Sequence, residues 1–184
     1  SEEPVHVISI IPRQITTEDI LIRFNPTDNF KAYGDFKKIA SIERHKNKGL
    51  IGVAITNGYG IQNGAIAISV AHDSHNIIVV GDNDNDMAVA ANEIRRLQGG
   101  IVIVENGKVF DSLPLPIMGL ISNESLNNVS AKIERLMNKA YEMGVYKDID
   151  PFVTLSFLSL PVIPKLRIIP RGLVSIGDMG PELI

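Results

Sequence analysis

The amino-acid sequence predicts an α+β domain, in which a mixed or mostly antiparallel sheet or sheets of roughly eight or nine strands carry two main helices. Three observations lead there. Short apolar runs bounded by Gly, Asn and Pro recur along most of the chain, which is how strands read. Only two stretches carry the 3.6-residue period of an amphipathic helix. Hydrophobic residues make up 45% of the 184 residues, enough for a sizeable core, while aromatics are 5% with no Trp. Ile, Val, Leu and Ala must therefore fill that core.

Taken in order, strands are expected at Val5–Ile11, Asp19–Phe24, Lys38–Arg44, Ile51–Thr56, Ala65–Val70, Ile77–Gly81 and Gly100–Glu105. The first helix places Met87, Ala90, Ala91, Ile94 and Leu97 on one stripe, with Asn92, Arg95 and Arg96 opposite. Asn83 or Asp84 is expected to cap it, and Gly99-Gly100 to end it. Asn106-Gly107 then separates two strand-like runs, a hairpin signal, so Lys108–Leu113 is the next strand. The second helix aligns Leu126, Val129, Ile133, Leu136, Met137 and Ala140, with Ser122 or Asn123 as cap and Gly144 as stop. Phe152–Leu160 is almost wholly apolar and reads as a strand buried on both faces, with Ser156 and Ser159 as core hydroxyls bonded to backbone. Residues 161–184 carry Pro161, Pro164, Pro170 and Pro181 and are expected to wrap the surface as an extended tail of one single domain, 1–184.

Composition excludes several function classes. A net charge of −3 gives no electrostatic footprint for nucleic acid. No run of about 18 apolar residues exists to cross a membrane as a helix. Ser1 to Pro4 have the wrong chemistry for a signal peptide. The chain has no Cys, hence no disulfide or thiolate metal site, which suits a reducing cytoplasm. It opens on Ser1 rather than Met and runs at once into an apolar stretch, so it reads as cut from a longer protein.

Two polar clusters stand out. Ala71-His72-Asp73-Ser74-His75-Asn76 sits between two very apolar strands and gathers two imidazoles, a carboxylate, a hydroxyl and an amide. Imidazoles titrate near neutrality and can donate, accept or bind metal. His72 and His75 could share a metal only if the segment turned helically, and a metal such as zinc wants more ligands than Asp73 adds. The plainer reading is a polar turn that satisfies its own backbone. Glu43-Arg44-His45 ends a strand before the loop Lys46-Asn47-Lys48-Gly49, and alone it reads as a solvated strand end. The two clusters strengthen each other if they share a sheet edge.

Asp82-Asn83-Asp84-Asn85-Asp86 after an apolar strand looks like the Mg²⁺-holding motif of haloacid-dehalogenase phosphatases, but no nucleophilic Asp-x-Asp precedes it. Helix capping accounts for these residues. Neither Asn57-Gly58-Tyr59-Gly60 nor the serines of Phe152–Leu160 match a phosphate-binding or nucleophile-elbow pattern.

Ile42-Glu43-Arg44-His45, Gly64–Ala67 and Ser69-Val70-Ala71-His72-Asp73-Ser74-His75-Asn76 leading into Ile77–Gly81 together resemble the C-terminal domain of bacterial and archaeal adenine deaminases. The resemblance continues through Asp86-Met87-Ala88, Gly99-Gly100, Leu113–Ile117 with Gly119-Leu120, Asp150-Pro151-Phe152, Leu155-Ser156-Phe157, Leu160–Pro164 and Arg171–Val174. Ser175 to Ile184 match no pattern of the family.

The resemblance implies a parent hydrolase of the amidohydrolase superfamily. It would convert adenine and water to hypoxanthine and ammonia with a hydroxide activated on Mn²⁺ or Fe²⁺ in an upstream barrel. That barrel carries a His-x-His motif. Here the histidines are His6, His45, His72 and His75, with no such motif, so catalytic and metal-binding residues are expected upstream of Ser1. His72, Asp73, Ser74, His75, Asn76, Glu43, Arg44 and His45 are left as pocket or inter-domain candidates. Three roles follow: completing or covering the adenine pocket at the barrel mouth, packing on the barrel or at a homo-oligomer interface, or serving as a free-standing ligand-binding module.

Overall fold

The structure is a computed structural model that describes residues 3–24 and 34–184, so Ser1 and Glu2 of the acidic start lie outside the described residues. Eight strands form the main sheet: β1 (Val5–Ile10), β2 (Thr17–Ile22), β3 (Lys37–Ile42), β4 (Ile51–Asn57), β5 (Gly64–Ile68), β6 (Ile77–Gly81), β7 (Gly100–Glu105) and β8 (Lys108–Pro114). They lie in the order β2-β1-β4-β3-β6-β5-β7-β8. Neighbours run antiparallel except β1 and β4, which are parallel, so the sheet is mixed.

Alternation along the central strands sorts the side chains into two faces. Ala65, Ala67, Ile77 and Val79 face α1 (Asp84–Leu97), where Met87, Ala90 and Ile94 complete one core. Ile66, Ile68, Ile78 and Val80 face the other way, against Leu136 and Ala140 of α2 (Leu126–Glu142) and Leu155 and Leu158 of α3 (Pro151–Leu158). Each fully buried Ile contributes about 1.5–3 kcal/mol.

The expected α+β architecture holds, with three corrections. Phe152–Leu160 is not a strand but helix α3. Asp150 starts it, its Oδ1 accepting from the amides of Phe152 (2.9 Å) and Val153 (2.8 Å), with Pro151 in the first turn. Neighbours cover much of its circumference, so its sequence is apolar without a helical stripe. The tail does not simply wrap the surface. It forms a second, antiparallel sheet of β9 (Leu166–Ile169), β10 (Gly172–Gly177) and β11 (Gly180–Leu183), with Leu166, Ile168 and Val174 buried. Pro181 is accommodated on the edge strand β11. Fully buried Arg167 ties this sheet to β2, donating to Thr17 Oγ1 (3.0 Å) and to the carbonyl of Ile15 (2.7 Å). Gly52 lets the two sheets meet, because a Cβ there would run into the Ile169 carbonyl.

The third correction concerns helix ends. Asn83 caps α1 as expected, accepting from Asp86 N at 2.9 Å, but α2 is capped by Ser125 rather than Ser122 or Asn123. The last turn of α1 closes on Gln98 in the left-handed region (φ 62°), one residue before Gly99. The Asn106-Gly107 hairpin forms with positive φ at both residues (50° and 79°).

Candidate functional site

Strands β3 and β6 are antiparallel neighbours with Ile42 opposite Ile77, so the segment leaving β3 and the segment entering β6 meet at one sheet edge. Both sequence-predicted clusters lie there. Arg44 joins them: its amide donates to Asn76 Oδ1 (3.2 Å) and its Nε to the His75 carbonyl (2.9 Å). The His45 ring adds a bond from Nε2 to the Ser74 carbonyl at 2.6 Å.

Within the β6 side, His75 N donates to the Ala71 carbonyl (2.6 Å) and Ala71 N donates to His75 Nδ1 (3.2 Å). Nδ1 is therefore an acceptor, and the neutral ring carries its proton on Nε2. Asn76 Nδ2 donates to Ser74 Oγ at 2.9 Å. The turn is anchored to α3 by His72 N to the Ser156 carbonyl (3.2 Å) and by Ser159 Oγ to the His72 carbonyl (3.1 Å). The His72 ring packs 5.1 Å from that of Phe157 and 6.0 Å from that of His75, centroid to centroid. On the β3 side, the Glu43 carboxylate accepts from the amides of His45 (2.6 Å), Lys46 and Lys48 (3.0 Å), which shapes the loop.

These contacts set the electrostatics. The Lys46 amide, ahead of those of Lys48 and His45, holds the Glu43 carboxyl below its ordinary value against a smaller opposing effect of burial. Burial lowers the Arg44 guanidinium, which still stays charged near neutrality. Burial, and then the positive charges that His72 and Arg44 can carry, lower the His75 imidazole, so it is mostly neutral at pH 7. Among the described residues, the His72 ring, His75 Nε2 and the exposed Asp73 carboxylate have no hydrogen-bond partner. A donor, an acceptor and a second imidazole are thus left facing whatever approaches.

Two concave surfaces flank this edge. Toward α1, a groove of about 700 Å³ is lined by Ile42, Ile51 and Ile77 together with Glu43, Arg44, His45 and Arg95. Toward α2 and α3, the His72 ring lines a smaller pocket with Ile133, Phe152 and Ser156. Among the described residues, no group of three or more His, Asp or Glu is placed to hold a metal ion.

Sequence reasoning missed the third party to the site, the loop after β8. Arg44 Nη2 donates to the Met118 carbonyl (2.9 Å). Gly119 (φ 76°) lies against that guanidinium, which a Cβ would strike. Met118 acts through its backbone, so its side-chain type carried no signal, whereas Gly119 fell within the family resemblance. Ser156 was also misjudged. Ser159 bonds backbone carbonyls as expected, but Ser156 Oγ is buried without a partner.

Comparison with known proteins gives a consistent picture. The family model described as the adenine deaminase C-terminal domain matches residues 14–179. The chain is 45% identical over 175 residues to an adenine deaminase of Clostridium acetobutylicum, covering 92% of this chain and 30% of that protein. It is 47% identical over 174 residues to one from Nitratidesulfovibrio vulgaris, with the same coverage. To that of Bacillus subtilis it is 40% identical over 182 residues, covering 96% of this chain and 31% of the relative. The chain therefore spans under a third of the length of these relatives.

Proposed function

This chain belongs to the adenine deaminase C-terminal domain family, and on that premise we propose that it completes or covers the adenine pocket of a parent enzyme whose reaction centre lies in an upstream barrel domain. The parent reaction is adenine plus water to hypoxanthine plus ammonia. The single observation that carries the domain's role is the joining of His72–Asn76 and Glu43–His45 at one sheet edge, with hydrogen-bonding groups left over after the fold has satisfied its own backbone. A purine edge alternates acceptors and donors. His75 Nε2 can donate to a ring nitrogen, and the Asp73 carboxylate can accept from the exocyclic amine.

The divalent metal of the parent, Mn²⁺ or Fe²⁺ by family resemblance, is held outside this chain. The partners are that barrel, adenine and, in a homo-oligomer, further copies of the enzyme, in the cytoplasm. Among the described residues no helix is long and apolar enough to cross a membrane.

A second reading is a purely structural or oligomerisation domain, and one observation favours it. Met118 (77% exposed), Ile117 and Ile121 leave apolar side chains exposed on the loop that holds Arg44, a surface that suits a protein neighbour. Turnover separates the two. His75→Ala and His72→Ala in the intact enzyme are expected to lower kcat/KM for adenine at least tenfold per folded protein, about 1.4 kcal/mol of lost transition-state bonding, well beyond what any loss of thermal stability explains. Wild-type turnover with lost stability or assembly would favour the structural role.

A further inference from the structure

Helix α1 packs over β6, β5, β7 and β8, one half of the sheet. In the other half, β4 pairs with β3 so that Ile51 stands opposite Ile42 and Val53 opposite Ala40. Ala40 and Ile42 belong to the core on the α1 side, so Ile51 and Val53 share that face of the sheet. They are nevertheless 59% and 54% exposed. The groove of about 700 Å³ beside α1 runs out to this open strand at Ile51. A sheet face with a helix on half of its width and bare aliphatic side chains beside it suits a layer with one more member.

The lining defines what fits. On its helix side the groove meets Ala88, Ala91 and Arg95, which the i, i+3, i+7 spacing puts on one stripe of α1. The two alanines are small enough for a second helix to lie alongside at the usual interaxial distance of about 8–10 Å. The charges are one-sided. Arg96 is held by Glu93 at 2.6 Å, but Arg95 has no carboxylate partner among the described residues. Arg44 donates from its side chain to the carbonyls of His75 and Met118, and likewise pairs with no carboxylate among the described residues. The Glu43 carboxylate is turned to loop amides. An occupant carrying Asp or Glu would answer both arginines.

More than two thirds of the length of each relative named above lies outside the region matched here. A second copy meeting this groove face to face would instead set the same arginines against each other, which like charge disfavours. We propose that the groove is the docking surface for the remainder of the parent polypeptide. The occupant is an apolar helix laid beside α1 over Ile51 and Val53, with Asp or Glu along the edge that meets Arg44 and Arg95. The proposal rests on the reading of this chain as one domain of a longer enzyme, and is independent of adenine reaching His75.

Photo-crosslinking of the intact enzyme tests this. Ile51→p-benzoylphenylalanine puts the reactive group in the groove, and Val53→p-benzoylphenylalanine repeats the test on the same face. The expected product is a crosslink within one polypeptide, to a segment outside residues 1–184 that has an apolar helical stripe and carries Asp or Glu. Arg95→Glu should lower the yield about fivefold, as reversing one exposed ion pair does, and Arg95→Lys should keep it. A crosslink between subunits or back to residues 1–184, no crosslink from either position, or a yield indifferent to Arg95→Glu would overturn the proposal. The expected crosslink alongside wild-type turnover of the intact His75→Ala enzyme would sink only the pocket-completing role. Depressed turnover of that variant without the crosslink would sink only this docking surface.

Discussion

Strand β6 carries a polar turn at each end, and the two turns use their polar groups differently. After β6, Asp82 accepts from the amides of Asn63 (2.5 Å) and Gly64 (3.0 Å), and Asp86 accepts from Gly107 N (2.6 Å) and Asn83 Nδ2 (2.9 Å). Asp84 pairs with Lys38. Carboxylates that resemble a metal motif in sequence are absorbed by a helix cap and two loops. Before β6, the backbone is satisfied by Arg44, Ala71 and α3, while imidazole and carboxylate groups remain over. Density of polar residues is the same kind of signal at both ends. What distinguishes a candidate site is hydrogen-bonding capacity not consumed by the fold.

The contrast can be broken or sharpened by substitution. The largest effect is expected at the acidic end. Asp86→Ala removes a buried carboxylate with two accepted bonds and should cost about 3 kcal/mol in urea unfolding, with turnover per folded intact enzyme unchanged. A cost below about 0.5 kcal/mol would mean that the acidic turn is not structural. Gly119→Ala should cost about 1–2 kcal/mol, since its φ of 76° is strained for any side chain and the new Cβ strikes Arg44. Amide exchange should quicken at His75, whose carbonyl Arg44 holds, while the Asp82–Asp86 turn keeps wild-type protection.

His75→Ala leaves the buried Ala71 amide without its acceptor and should cost about 1–3 kcal/mol, so its effect on the intact enzyme is read as turnover per folded protein. The smallest expected effect is a pH dependence. The folded pKa of His75 lies below the unfolded value of about 6.5. The native state then binds fewer protons than the unfolded one, and stability falls as pH drops from that value toward the lowered folded one. An NMR titration should place the His75 midpoint below 6.5, and His75→Gln should remove this part of the slope. A midpoint at or above 6.5 would contradict the burial that the turn imposes.

Much of the fold was legible in the sequence. Ile77–Gly81 and Gly100–Glu105 have the bounds their apolar runs suggest, because turn residues delimit them sharply. Asn106-Gly107 announced its hairpin through the positive φ it tolerates. Phe152–Leu160 misled because a helix covered on most sides loses its polar stripe, and the decisive signal was Asp150-Pro151 just before it. The tail misled because its prolines suggested a wrap, whereas Leu166, Ile168 and Val174 had a sheet face to bury. The eight site candidates were legible as two clusters. Their union was not, since it depends on β3 pairing with β6 across the intervening strands β4 and β5, and the part played by the Met118 backbone left no side-chain signature.

The most direct test of this division between a satisfied and an unsatisfied turn, and of chemistry placed outside this chain, is ammonia release from adenine by the 184-residue chain alone, purified free of host deaminase and supplied with Mn²⁺ or Fe²⁺. The account predicts no release, with activity appearing only in the intact enzyme and falling there in His72→Ala and His75→Ala. Metal-dependent release by the isolated chain, abolished by those same substitutions, would contradict it and make the edge between β3 and β6 a reaction centre in its own right.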